Sequence, residues 1–322
     1  MRTILGASYS RGTYDSDFGY GVQVAPIDPF NPVYTGFNPI TVTDTPGTSV
    51  DEWGVYAQNR ATFDRWIFDF GLRYGGIETG TSNGSFGATT AAAKDSKWTG
   101  NAAIMYLFDN GLAPYVSYAT SFQQDAIGAD VNGNAFDPTE GEQIELGVKY
   151  QPAGTATLLS AAVFDLTKSN LLVADPVNPG FQIQTGEASS RGFEFEAYHS
   201  FGEVSVQAAY TYLDTENAAG FEIAQVPEHA ASLWLNYAPK GLPGWQFGGG
   251  VRYNGAAWDG VGIQETPAYT LFDTAIAYEQ DNWRLALNVS NLTDERYVTT
   301  CQSGSCYFGE GRNVALTLTS NF

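Results

Sequence analysis

Apolar and polar residues alternate with a period of two along most of this chain. Trp66, Phe68, Phe70, Leu72 and Tyr74 are interleaved with Ile67, Asp69, Gly71 and Arg73. Ile144 to Tyr150, Val204 to Tyr212, Trp283 to Val289 and Val314 to Leu318 repeat the pattern. Successive strand side chains point to opposite faces, so each run predicts a strand with one apolar and one polar face. No stretch shows a convincing helical period. Fourteen runs are expected, at 2–11, 51–62, 65–77, 96–108, 112–123, 139–151, 155–170, 188–200, 203–214, 227–238, 245–255, 267–279, 282–296 and 309–322.

The connections between runs alternate in length. Short turns fall at Phe63-Asp64, Asp109-Asn110-Gly111, Pro152-Ala153-Gly154, Phe201-Gly202, Pro239 to Gly244 and Gln280-Asp281. Long polar loops lie between them, at about 12–50, 78–95, 124–138, 171–187, 215–226, 256–266 and 297–308. A membrane barrel carries short turns on one rim and long loops on the other, whereas a soluble sandwich has no need of that order. The polar face carries Asp69, Arg73, Glu145, Lys149, Glu194, Glu196, Arg252 and Arg284, which a soluble core could bury only at high cost. The opposite face is apolar in strand after strand, with Tyr, Trp and Phe crowding the strand ends as in lipid-facing girdles. The expected fold is therefore all-β, an antiparallel transmembrane β-barrel with about 14 strands. A soluble sandwich or propeller is the competing reading of the alternation, and its mark would be cooperative folding without detergent.

Composition narrows the function. Lys and Arg total 15 against 35 Asp and Glu, a net charge of −20. So few scattered basic residues argue against nucleic acid as a partner, because phosphate neutralisation carries that affinity. Aromatics at 14% and hydrophobic residues at 43% exclude a disordered chain. No apolar run approaches the length of a membrane-spanning helix. The first residues, Met1 to Gly6, lack the apolar core of a signal peptide, so a mature or N-terminally truncated chain is expected. No nucleophile motif, phosphate loop or metal-ligand spacing is present, so neither an enzyme nor a resident cofactor or metal is expected. His199 and His229 stand far apart on expected strands and read as structural. Gly248-Gly249-Gly250 reads as strand positions with close neighbours, not as a phosphate cradle.

The C-terminal run ends in Phe322, and an amphipathic last strand closing on an aromatic residue resembles the signal read by the barrel assembly machinery. Cys301 and Cys306 are the only cysteines. They lie in the last long loop, which would face an oxidising exterior, so a disulfide is expected. The enclosed loop is small, so the bridge should stiffen the loop more than it stabilises the fold.

Several segments, in order, resemble TonB-dependent receptors. They are Phe108-Asp109-Asn110-Gly111 with Pro114-Tyr115-Val116-Ser117-Tyr118, then Ser121-Phe122 and Gly147-Val148-Lys149-Tyr150. Next come Leu166-Thr167-Lys168, Ala174-Asp175-Pro176 and Arg191-Gly192-Phe193-Glu194-Phe195-Glu196. Gln225 to Trp234 follows, and the likeness ends with Asn291-Leu292-Thr293-Asp294-Glu295-Arg296-Tyr297-Val298, the cysteine loop and Tyr307 to Arg312. The nearest likeness is to ferric hydroxamate (ferrichrome-type) siderophore receptors. The resemblance implies an outer-membrane barrel of 22 strands filled by an N-terminal plug that contacts TonB. This chain departs from that pattern, with about 14 strands over 1–322 and no plug. It reads as the C-terminal barrel part, either a fragment or a reduced barrel whose first and last strands pair.

The resemblance also implies a function. Loops and plug would capture a ferric siderophore, with iron held only by the siderophore, and TonB would drive its passage through the missing plug. Outer-membrane lipid and the assembly machinery are the other expected partners. A bulky, largely neutral chelate needs aromatic faces and a few hydrogen-bonding groups. Phe18, Tyr20, Phe30 and Tyr34 in the first long loop, Phe122, Gln123, Trp258, Tyr307 and Phe308 are the candidate vestibule contacts. The acidic balance favours a neutral or cationic chelate over an anionic catecholate. A passive 14-stranded pore or a transporter of hydrophobic substrates is the alternative function.

Overall fold

The computed structural model describes residues 1–20, 41–81, 92–123, 129–302 and 304–320. Its strands are β1 (Arg2–Tyr20), β2 (Thr41–Phe63), β3 (Trp66–Thr81), β4 (Ala93–Tyr106), β5 (Leu112–Gln123) and β6 (Thr139–Tyr150). β7 (Ala156–Ala174), β8 (Gln182–Phe201), β9 (Val204–Glu216), β10 (His229–Tyr237), β11 (Trp245–Asn254) and β12 (Ala257–Trp258) follow. The last are β13 (Glu265–Thr266), β14 (Tyr269–Gln280), β15 (Trp283–Ser290), β16 (Val298–Gln302), β17 (Ser305–Phe308) and β18 (Asn313–Ser320). Fourteen of them form one sheet in the order β1 to β11, β14, β15, β18, and each pairs antiparallel with its sequence neighbour in the sheet. Every expected run is present as a strand.

The short turns bring consecutive strands together. Asp64 and Asp281 sit in the left-handed region at φ 52° and 54°. That region matches the twist of two-residue hairpins, and Asp tolerates it better than most residues. At Gly111, φ is 86°, and a Cβ there would run into the Gln151 carbonyl.

Register sorts the side chains into two faces. One unbroken row across seven strands reads Phe68, Ile104, Val116, Leu146, Val163, Phe193 and Tyr212. Further along the sheet, Ala208, Leu233, Val251 and Phe272 form one row, and Ile276, Leu287 and Leu316 another. None of these side chains is buried and most are exposed; Leu316 is 68% accessible and Leu146 60%. So wide an apolar surface would drive association in water. Against hydrocarbon, each large apolar side chain is worth about 1.5–3 kcal/mol relative to water. Aromatic rings close the band at both ends. On the short-turn side, Trp66 lies 4.8 Å from Tyr106 and Trp245 lies 5.0 Å from Tyr278. On the long-loop side, Tyr74 packs 5.5 Å from Trp53 and 4.9 Å from Trp98. The protein is an outer-membrane type of wall, with the girdles at the two interfaces.

The other face is polar and self-paired. Arg60 binds Asp69 at 2.7 Å, Tyr115 donates to Glu145 at 2.6 Å, and Arg252 binds Asp273 at 2.6 Å. Trp234 lies flat across Gly248 and Gly250, where any Cβ would enter its ring. That close approach is the reason for glycine in this strand.

Three of the differences from the sequence expectation bear on the wall. β1 and β2 pair on to Tyr20 and Thr41, well into the expected first loop, because a backbone ladder needs no apolar pattern. β15 ends at Ser290, short of the expected 296, because Asn291 turns the chain at φ 51°. Third, the smaller closed ring does not form among the described residues: β1 pairs only with β2, and β18 only with β15.

Candidate functional site

The long-loop rim carries a packed canopy made from three connections. The β9–β10 connection turns on Asn217, whose side-chain carbonyl accepts the Ala219 N–H at 2.9 Å and the Phe221 N–H at 3.2 Å. The β12–β13 hairpin turns on Asp259, which accepts the N–H groups of Val261, Ile263 and Gln264 at 3.1–3.2 Å. Burial opposes the charge of Asp259, but these donors outweigh it and hold the carboxyl below its ordinary value. The third connection holds the β16–β17 hairpin, closed by the Cys301–Cys306 disulfide with a Cα–Cα distance of 4.1 Å.

Hydrogen bonds join these pieces. The Asn217 amide donates to the Gly260 carbonyl at 2.7 Å, and the Gln225 N–H donates to the Trp258 carbonyl at 2.9 Å. The Cys301 N–H donates to Thr266 Oγ1 at 3.0 Å, and Gln264 Nε2 donates to Cys306 Sγ at 2.8 Å. Thr266 and Cys301 are buried at 4% and 2% exposure, so the disulfide is wedged against the neighbouring hairpin.

The canopy stands on a hydrogen-bonded base. Buried Asn291 receives the Glu295 N–H on Oδ1 at 2.8 Å and donates to the Glu295 and Glu310 carbonyls. Its own N–H donates to Asp273 at 2.9 Å, the carboxylate that Arg252 grips. Asp294 accepts the Arg312 N–H at 2.9 Å. The Tyr297 ring packs tilted against Tyr269, centroids 4.3 Å apart, and leaves no room for a Cβ at Gly309. The Asn291 to Tyr297 and Gly309 to Arg312 segments, prominent in the sequence, thus act as the footing of the last loop.

The rim is acidic. Asp214, Glu222, Glu228 and Glu265 face one another closely enough that the Glu222 carboxyl is pushed above its ordinary value, first by partial desolvation and then by the other three. No group of metal-ligating side chains occurs among the described residues.

The candidate contacts fall in different places. Trp258, Tyr307 and Phe308 all belong to the canopy; Trp258 is half-buried, and Tyr307 and Phe308 are 60% and 78% exposed. Phe122 pairs with Glu140 on the face of Tyr118 and Val116, the apolar one, while Gln123 pairs with Thr139 on the polar face. Phe18 and Tyr20 lie on the extended part of β1, paired with Thr43 and Thr41, and their side chains are outside the described residues. Phe30, Tyr34 and Phe322 also lie outside the described residues. The expected disulfide is present. Sequence reading missed Asn217, Asp259, Gln264 and Thr266. The first two sit in Asn-Ala-Ala-Gly and Asp-Gly-Val-Gly, sequences that signal turns; the last two carry no such signal.

The family model described as TonB dependent receptor-like, beta-barrel, matches residues 2–292. The ferrioxamine B receptor of Salmonella typhimurium is 38% identical over 97% of this chain and 46% of its own length. The ferrichrome outer membrane transporter/phage receptor of Escherichia coli is 35% identical, over 97% of this chain and 44% of its own length. The crystal structure of the siderophore receptor PiuA from Acinetobacter baumannii superposes with a TM-score of 0.83 at 25% identity, over 99% of this chain and 53% of that one. The chain therefore spans less than half the length of the two curated relatives.

Proposed function

The chain belongs to the TonB-dependent receptor β-barrel family, an outer-membrane family, and from that premise we propose that it forms the wall and outer vestibule of a receptor for ferric hydroxamate siderophores. The observation that carries the reading is the canopy: aromatic side chains of Trp258, Tyr307 and Phe308 on hairpins fixed by a disulfide and by Asx turns. Such a surface is ordered before the ligand arrives, which lowers the entropy cost of capture. The names of the two curated relatives quoted above support the hydroxamate class. The acidic rim supports it too, since Asp214, Glu222, Glu228 and Glu265 repel an anionic catecholate chelate. Iron arrives and leaves inside the chelate, and the wall contributes no ligand to it.

In this reading the energy for passage comes from TonB acting on a plug, and the wall supplies only a lined route. The test is a titration of the receptor in outer-membrane vesicles with ferrichrome, ferrioxamine B and a ferric catecholate. Hydroxamates should bind more tightly than the catecholate, and uptake of the bound chelate should stop in cells lacking TonB. Tighter catecholate binding overturns the ligand class. Uptake that persists without TonB, with open-channel conductance, would favour the passive pore.

A further inference from the structure

One charged pair of the inner face reaches beyond the wall. Arg252 on β11 stands opposite Leu271, and Asp273 on β14 stands opposite Gly250. No side chain at Gly250 separates the two, and the guanidinium meets the carboxylate through Nε at 2.6 Å and Nη2 at 3.1 Å. Another inner pair, Arg60 with Asp69, joins one strand to the next. Asp273 does more, because its Oδ1 also accepts the backbone N–H of Asn291 at 2.9 Å. The chain leaves β15 at that residue with φ 51°, and its N–H turns from the strand ladder to the carboxylate.

Asn291 in turn clamps both stems of the last loop. Its side-chain amide donates to the Glu295 carbonyl at 2.9 Å, where the loop sets out, and to the Glu310 carbonyl at 3.2 Å, where it returns. Its Oδ1 accepts the Glu295 N–H at 2.8 Å. Between the stems lie the β16–β17 hairpin, the disulfide and the exposed rings of Tyr307 and Phe308. An unbroken hydrogen-bonded path therefore runs from a cation in the barrel interior to the base that holds these rings.

We propose that Arg252 is a positioning residue for ligand capture: from inside the barrel it sets the pose of the last loop, through Asp273 and Asn291, without touching the ligand. This rests on the reading of Tyr307 and Phe308 as vestibule contacts. The Asp273 side chain is 15% exposed, so it keeps its place as a charge only while the guanidinium is beside it. Without Arg252 the carboxylate turns towards luminal water and gives up the Asn291 N–H. An uncharged amide at 273 keeps an acceptor oxygen and needs no cation. The Arg252 side chain is itself 48% exposed, so its removal opens no buried hole, and the effect belongs to its charge and its hydrogen bonds.

The test uses the full receptor, purified in mild detergent for hydrogen exchange and kept in cells for ferrichrome uptake. In Arg252→Met, amide exchange over 291–297 and 304–312 should quicken about tenfold with no ligand present, while β7 and β8 stay as they were. Ferrichrome affinity should fall about fivefold, because the loop is no longer ordered in advance. The uptake rate at saturating ferrichrome should stay within about twofold, since binding and not passage is affected. Arg252→Met/Asp273→Asn should restore slow exchange and most of the affinity. Arg252→Lys, which keeps the charge but not the planar fork, should fall between wild type and Arg252→Met. Heat-modifiable migration on a gel shows that the wall still folds; should Arg252→Met fail that check, Arg252→Lys and the double variant decide. Unchanged loop exchange in the folded variants overturns the coupling. A double variant as loose as the single one overturns the route through Asp273, and a loosened loop with undiminished affinity overturns the role in capture. A wild-type receptor that binds no ferrichrome overturns the hydroxamate reading instead, and the exchange measurements still decide the coupling.

Discussion

At the scale of single residues, the loop footing depends on Asn291. It is 3% exposed, holds a left-handed φ of 51°, and its side chain makes three hydrogen bonds to backbone. Replacing it with alanine strands the Glu295 and Glu310 groups and adds backbone strain, so Asn291→Ala should cost about 2–4 kcal/mol. The check is the unfolding midpoint in detergent against denaturant. Asn291→Gly should recover the strain part but not the bonds. Asp259 gives a pH prediction. Its folded pKa lies below the unfolded value of a free aspartate, so its contribution is complete above the unfolded pKa and is lost as pH falls through the folded one. Amide exchange over 259–266, corrected for intrinsic rate, should therefore speed up as the pH drops below the ordinary carboxylate range. In Asp259→Ala it should be fast throughout and insensitive to that drop. At this scale the sequence showed the cysteines and the aromatic candidates. It did not show the role of Gln264 or Thr266, because their partners lie on a different loop, 35 or more residues away.

The elements were the most legible level. Each sheet strand is an alternating run, because one face meets lipid and the other the interior, and a period of two is what that requires. The two-residue pair β12 and β13 was invisible for the same reason: it is too short to show any period. Register makes a sharp prediction. Leu146 is on the lipid face and Ser117 on the inner face, opposite Glu145. Leu146→Arg should destabilise the folded barrel by about 2–4 kcal/mol if its site is near the bilayer midplane, and Ser117→Arg by much less. Unfolding in lipid vesicles of both variants decides; equal costs would mean that the faces are assigned the wrong way round. The hairpins make another prediction. The disulfide closes a small loop, worth at most roughly 2 kcal/mol of local order. Replacing both Cys301 and Cys306 with serine should leave the wall's unfolding midpoint unchanged. Amide protection should fall across β16 and β17, and in β13 as well, because Thr266 and Gln264 are tied to that loop.

For the whole molecule, the sequence legibly placed the loops on one rim, since short and long connections alternate. Whether the strands close on themselves was not legible, because ring closure depends on which edges meet and not on the pattern within any strand. The charge distribution belongs to this scale. Among the described residues the wall's arginines and lysines are largely neutralised in place, Arg60 by Asp69, Lys94 by Glu78, Arg191 by Asp165 and Arg252 by Asp273. Asp214 near the end of β9 and the loop carboxylates Glu222, Glu228 and Glu265 crowd one another there, so negative charge is concentrated at the outer mouth. A field of that sign raises the local concentration of cationic solutes and fades over about 10 Å at 0.1 M salt. Association of a ferric chelate with a free ammonium should therefore be fast at low ionic strength and slow severalfold as salt rises to 0.5 M, while a neutral chelate associates at a rate that hardly changes. Stopped-flow fluorescence with the two chelates measures this directly. Glu222→Gln combined with Glu228→Gln should flatten the salt dependence of the cationic chelate and leave the neutral one alone. If both chelates respond to salt alike, the rim does not steer its ligand, and the proposed preference against catecholates would have to arise from contacts inside the vestibule.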